Sequence, residues 1–160
     1  MQLNFTREDV SIMYGDRRST GASSGFDLYL PDDTVFPAGS VTFVDFGLQA
    51  TTYTGNGFFL LARSSLSKTP LRLANSVGLI DGDYRGNLIA ALHNTSTSDY
   101  SAARGTRLVQ IALGTLAPFG VQYGPLNSTE RGSGGFGSTG TGTDNAGNVN
   151  PNSTGVNFIR

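Results

Sequence analysis

Residues 78–94 read Gly-Leu-Ile-Asp-Gly-Asp-Tyr-Arg-Gly-Asn-Leu-Ile-Ala-Ala-Leu-His-Asn. A short apolar run, Gly78 to Asp81, enters an Asp-Gly turn, and a second β-type run, Asn87 to Asn94, follows it, the pattern of strand, turn and strand. Two acids, a tyrosine and an arginine stand between the runs at Asp81, Asp83, Tyr84 and Arg85. Taken locally, they are the solvated residues of a hairpin turn. They also fit a catalytic reading, in which one carboxylate deprotonates a water held within hydrogen-bond reach.

Outward from this stretch the same grammar recurs. Runs rich in β-branched and aromatic residues are LNFT, FDLYL, VTFVDFGLQATT, GFFLLA, LRLA, RLVQIAL and FGVQY. Pro31-Asp32-Asp33, Pro37-Ala38-Gly39 and Gly55-Asn56-Gly57 separate them, and each favours a tight turn. Nine runs in all imply an all-β sandwich or barrel. A sustained helical period is absent, so at most one short helix is expected, around Arg63 to Ser67 or Ser98 to Ala102.

With 160 residues the chain fits one domain. Charged residues are 14% and glycines number 22, a balance that suits strands and turns rather than surface helices. Eleven Lys+Arg against twelve Asp+Glu leave no broad basic footprint, so no direct nucleic-acid partner is expected. Cysteine is absent and His93 is the one histidine, which excludes thiolate chemistry, disulfides and sulfur or multi-histidine metal sites. No apolar run approaches a membrane span, and the expected location is cytoplasmic, or nuclear in a eukaryotic host. Composition changes near Gly124, dividing the chain into a core, 1–124, and a Gly/Ser/Thr/Asn-rich arm, 125–160. Composition alone describes this arm as a linker. Inside it Arg131-Gly-Ser-Gly-Gly-Phe136-Gly-Ser-Thr-Gly140 holds a G-x-G-x-x-G spacing, but without the flanking strand, helix and acid of a dinucleotide fold. Its glycines can let backbone N–H groups converge on an anion, with Arg131 adding charge and Phe136 a flat face for a base.

Five segments in order, Gly25-Phe-Asp27-Leu-Tyr29, Ala62-Arg63-Ser64-Ser65-Leu66, Gly78 to Gly86, Arg107-Leu-Val-Gln110-Ile111 and Arg131 to Gly140, resemble the five motifs of the trimeric dUTPases. The resemblance implies a jelly-roll-type β-sandwich or barrel (the dUTPase-like β-clip), assembled as a homotrimer with shared active sites and an exchanged C-terminal arm. The implied activity is Mg²⁺-assisted hydrolysis of dUTP to dUMP and pyrophosphate. Asp81 resembles the carboxylate that deprotonates the attacking water, and Tyr84 the ring under the deoxyribose that leaves no room for a 2′-hydroxyl. Asn75, the backbone from Ser76 to Leu79 with Gly78 in its middle, and Ile80 resemble the hairpin that reads uracil. Arg63, Ser64, Ser65 and Gln110 resemble phosphate contacts, and Asp27 an acid bonded to the water shell of Mg²⁺. Arg131, Gly137, Ser138 and Thr139 resemble the terminal-phosphate clamp, and Phe136 the ring that stacks on uracil.

The physics suits these roles. In-line attack at phosphorus needs positioning and charge neutralisation more than covalent help, and Mg²⁺ commonly sits on substrate phosphates with few protein ligands. Two departures stand out: the family's second motif usually reads Pro-Arg-Ser-Gly-Leu, where this chain has Ala62 and Ser65. Arg107 and Gln110, three apart, are expected on opposite faces of their strand, with Arg107 structural. One alternative is a dCTP deaminase of the same fold, which needs a glutamate where this chain has Ala91. Another is a non-catalytic regulatory or structural relative, which should have lost Asp81, Tyr84 or the Gly-rich motif.

Overall fold

The computed structural model of the chain describes residues 1–135. In chain order its elements are β1 (Gln2–Phe5), α1 (Glu8–Tyr14), β2 (Gly25–Tyr29), β3 (Thr34–Phe36), β4 (Val41–Asp45), β5 (Leu48–Thr51), β6 (Phe58–Ala62), a 3₁₀ turn (Ser64–Lys68), β7 (Leu71–Leu73), β8 (Gly78–Ile80), β9 (Ile89–Asn94), β10 (Tyr100–Ala102), β11 (Arg107–Leu113) and β12 (Gln122–Tyr123). The fold is all-β, as expected. The strands form four sheets, ordered β12-β1-β5, β10-β3, β2-β11-β6-β8 and β4-β9-β7. Only the β1–β12 pairing is parallel among those described.

Period-two alternation sets the core. Phe26 and Leu28 of β2 and Phe58 and Leu60 of β6 are buried while their neighbours are less so. They meet Leu30, Phe36, Phe46, Leu48, Leu71 and Leu88 in one cluster, each large apolar side chain contributing about 1.5–3 kcal/mol on burial. Residues 41–52, one run in the sequence, divide into β4 and β5, which belong to different sheets. The corner is an Asx turn, with Gly47 N–H donating to Asp45 Oδ1 at 2.8 Å.

The short helix expected around Arg63 to Ser67 is present as the 3₁₀ turn Ser64–Lys68, while Ser98 to Ala102 holds β10 instead. The limit of one short helix is corrected by α1, the one α-helix among the described residues, which lies outside both segments. Glu8 and Asp9 favour the first turn of α1 through the helix dipole. Val10 and Tyr14, four apart, bury its inner face, where Tyr14 packs on Phe5, Phe26 and Tyr29. Arg104 ties the helix down by donating to Asp9 Oδ2 at 2.8 Å and to the Asp9 carbonyl at 3.1 Å.

Candidate active site

Strand β8 delivers the third motif to the end of a sheet, pairing Ile80 with Phe58 and Gly78 with Leu60 on β6. Asp81 follows at once, its side chain one-third exposed, and the Tyr84 N–H closes the turn on the Asp81 carbonyl at 3.1 Å. Tyr84 is buried, and its hydroxyl donates to the Asn87 carbonyl at 2.8 Å. Burial, with Asp45 nearby, pushes the phenol above its ordinary pKa, so it stays a neutral donor. Residue 86 must be glycine, since a Cβ there would lie 2.5 Å from Tyr84 Cζ. Asn87 in turn donates to both oxygens of Asp45 at 3.0 Å, anchoring the loop to the end of β4.

The start of the arm lies across this loop. Arg85 donates from Nε to the Asn127 carbonyl at 2.8 Å and from Nη2 to Asn127 Oδ1 at 3.1 Å, while its backbone N–H meets the Gly132 carbonyl at 2.7 Å. Thr129 donates to the Asp83 carbonyl. Arg131 pairs with Asp81 through Nη1, reaches Asp83 Oδ1 at 3.3 Å, and places its guanidinium carbon 6.0 Å from the centre of the Tyr84 ring. The hydrogen bond to Asp81 raises the Arg131 pKa further above its already high ordinary value. Three predicted residues, Asp81, Tyr84 and Arg131, therefore meet within one chain. Phe136, Gly137, Ser138 and Thr139 lie outside the described residues.

At the other end of β8 Asn75 to Gly78 make a tight turn, with Ser76 N–H on the Leu73 carbonyl at 3.0 Å and Val77 N–H on the Asn75 carbonyl at 2.7 Å. Val77 and Leu79 project as exposed apolar side chains, while Gly78 is buried against Leu60. Ile80 is buried in the core, so only its backbone is open to a ligand role.

A second cluster gathers the other predicted residues. Asp27 of β2 accepts from Arg63 Nε at 2.8 Å on Oδ1 and from Arg107 Nη1 at 3.2 Å on Oδ2. Arg63 also donates from Nη1 to Ser65 Oγ at 3.0 Å and to the Arg107 carbonyl at 3.1 Å. Ser65 thus steadies Arg63, whereas Ser64, with Gln110, lines an open polar cavity of about 480 Å³. The opposite-face expectation for Arg107 and Gln110 is overturned. The ladder slips between Arg107 and Val109 at a bulge, and Gln110 pairs directly with Asp27; one extra residue inverts side-chain parity, so both residues serve the Asp27 side. Gln110 then lies across Gly25, where a Cβ would be 2.7 Å from its Cδ.

The two clusters cannot meet on one chain. Asp81 falls opposite Gly57 by the β6–β8 register, and Arg63 is six residues further along, roughly 20 Å at about 3.3 Å per residue. A general base must approach its water to about 3 Å. Several supporting residues escaped the sequence reading: Asp45 and Asn87 behind Tyr84, Asn127 and Thr129 under the arm, and Arg17, Ser19, Thr20 and Ser23, which line the polar cavity. Only the polar, Gly-containing composition of 16–25 hinted at the last group. Among the described residues no group of three His, Asp or Glu is placed to hold a metal ion, and no helix is long and apolar enough to cross a membrane.

Comparison with known proteins agrees with this geometry. The family profile described as dUTPase matches residues 16–140. The deoxyuridine 5'-triphosphate nucleotidohydrolase of Yarrowia lipolytica is 37% identical over 126 residues, 77% of this chain and 80% of the relative. That of Desulfitobacterium hafniense is 36% identical over 147 residues, 88% and 95% of the two chains. The crystal structure of dUTPase from Streptococcus mutans superposes with a TM-score of 0.54 at 33% identity, covering 58% of this chain and 78% of that one. This chain belongs to the dUTPase family.

Proposed function

We propose that the chain acts as a dUTP diphosphatase, hydrolysing dUTP to dUMP and pyrophosphate at a site completed between copies of itself in a jelly-roll-type homotrimer. The observation that carries the reading is the division of the site: Asp81, Tyr84 and Arg131 gather at one end of β6, and Ser64, Gln110 and Asp27 gather at the other. A neighbour's Ser64–Gln110 cavity facing this chain's Asp81 supplies both halves. A closed C3 ring repeats such a heterologous contact at every site. An exchanged arm makes with a neighbour's loop the contacts that Arg131 and Thr129 make here with Asp81 and Asp83.

In this arrangement uracil lies in the Asn75–Leu79 turn and the deoxyribose packs on the Tyr84 ring. Asp81 takes a proton from water as the water oxygen bonds to the α-phosphorus; the bond to the bridging oxygen breaks and pyrophosphate leaves. Arg131 transfers from Asp81 to the terminal phosphate as substrate enters, exchanging one anionic partner for another. Phe136 on the base and Gly137, Ser138 and Thr139 on the phosphate complete the clamp.

Mg²⁺ fits this donor set through water only. Both Asp27 oxygens already hold an arginine, yet a carboxylate offers about four lone-pair sites, leaving room to accept from a metal-bound water. When bound, the ion would neutralise charge on the phosphates. The deaminase alternative lacks its proton shuttle, because Ala91 is buried opposite Phe43.

Incubation with each dNTP and UTP plus Mg²⁺ tests the activity. Pyrophosphate should appear from dUTP far faster than from dCTP, dTTP or UTP, and ammonia release from dCTP would point to deamination. Sedimentation should give a species near three times 16.8 kDa.

A further inference from the structure

The polar cavity that holds Ser64 and Gln110 is lined as well by the segment just before β2, and this segment carries Arg17. The guanidinium of Arg17 sits 4.0 Å from the centre of the Phe26 ring and 5.7 Å from that of Tyr29. Its Nη1 donates to the Asp27 carbonyl at 2.8 Å, and its own carbonyl accepts from the Tyr123 hydroxyl. Stacking on one face and a fixed bond at one edge hold the fork in place before any ligand arrives. Of its five N–H groups the others make no hydrogen bond among the described residues.

The second arginine of the cavity, Arg63, is committed differently. Its Nε and Nη1 are engaged by Asp27, Ser65 and the Arg107 carbonyl, so these donors are already committed, and the Asp27 carboxylate that it shares with Arg107 offsets part of its charge at short range. Arg17 touches only the carbonyl of Asp27, and thus brings into the cavity a charge with no acid paired to it. A polyphosphate entering beside Ser64 and Gln110 meets Arg17 as its best-presented cation.

We infer that Arg17 is a phosphate-binding residue of this site, adding to the second and fourth motifs a bidentate donor that lies ahead of the first. The assignment rests on dUTP hydrolysis at the proposed site. Arg17→Met keeps an apolar stem over Phe26 and removes the charge; Arg17→Gln also removes it but retains a donor for the Asp27 carbonyl. For both variants kcat/KM for dUTP should fall about ten- to hundredfold, the worth of one charge-assisted phosphate contact. The Kd of α,β-imido-dUTP, measured by calorimetry, should weaken by a similar factor, with inhibition by uncharged deoxyuridine unchanged. A variant that binds the analogue as wild type does overturns the assignment. Parallel loss of deoxyuridine inhibition also overturns it, since the substitution would then damage the whole site. Should Arg17→Met lower Tm, the result is taken from Arg17→Gln. Wild-type protein that releases no pyrophosphate from dUTP refutes the parent reading, whereas active wild type with unaffected variants refutes this one alone.

Discussion

Replacing Gly25 by Ala separates catalysis from folding. Gly25 is a strand residue paired with Ala112, and its backbone φ is not in the positive range, so alanine is conformationally acceptable and reduces unfolded-state entropy by about 0.4–1 kcal/mol. The new Cβ would lie 2.7 Å from Gln110 Cδ, and the atoms in its way are the far end of a flexible side chain. Gln110 must swing aside, breaking its 3.2 Å bond to the Ala62 carbonyl, an exposed contact worth about 0.5–1.5 kcal/mol at most. These effects nearly cancel, and Tm should move by only a few degrees. The displaced amide is the proposed phosphate donor. Losing a hydrogen bond to a charged group costs about 1.5–3 kcal/mol, or roughly ten- to hundredfold in kcat/KM. Steady-state pyrophosphate release with dUTP is the assay, run on Gly25→Ala, Gln110→Ala and the double variant. The double variant should be no worse than either single one, because both remove the same contact. Full activity of Gly25→Ala, or additive losses in the double variant, would refute the reasoning.

Asp81→Asn should reduce turnover by about two to four orders of magnitude, the usual worth of a general base, with analogue binding still measurable by calorimetry. Tyr84→Phe, which removes only the bond to the Asn87 carbonyl, should cost about 0.5–1.5 kcal/mol of stability in denaturant titrations and keep the preference for dUTP over UTP. Tyr84→Ala should lose that preference, and if both variants discriminate as wild type does, the ring is not the sugar floor. Asp9 is pulled down to about 2 by hydrogen bonds from Arg7 and Arg104, and Asp32 is lowered by Arg7. Their folded pKa values lie below the unfolded ones, so this stabilisation is present above about pH 4 and is lost as pH falls toward 2. Arg7→Ala should flatten the acid limb of Tm against pH; an unchanged limb would place the acid sensitivity elsewhere.

The strand content was legible because β2 alternates in sequence as it does in burial, while β6, Phe-Phe-Leu-Leu-Ala, is a short apolar run bounded by Gly57 and Arg63. What escaped has physical causes. Helix α1 shows its period through one i, i+4 pair, Val10 and Tyr14, too short a span to stand out. Strand β3 fills only the three residues between the turn signals Pro31-Asp32-Asp33 and Pro37-Ala38-Gly39, and β10, Tyr-Ser-Ala, follows a polar Ser/Thr/Asp stretch, so neither stood out as the equally short but apolar β7 and β8 did. The bulge between Arg107 and Val109 leaves no mark in composition, yet it inverted the expected facing of Arg107 and Gln110. Site residues were legible where one local turn holds them, as with Asp81 and Tyr84. Partners brought together by the fold had little or no local signal: Asn87 for Asp45 had none, and Arg17 for the cavity only the polar, Gly-containing composition of 16–25. The roughly 20 Å between the two clusters is likewise a property of strand pairing, invisible in the order of motifs.

Complementation between two inactive variants bears most directly on a site shared between copies. Asp81→Asn destroys one half of the site and Ser64→Ala with Gln110→Ala destroys the other, on residues about 20 Å apart in one chain. Mixed one to one, unfolded and refolded together, random trimers should recover about a quarter of wild-type dUTP hydrolysis, because each site then draws an intact half from each of two neighbours with even odds. Activity no greater than the sum of the two parent variants, in mixed trimers verified by mass, would contradict it.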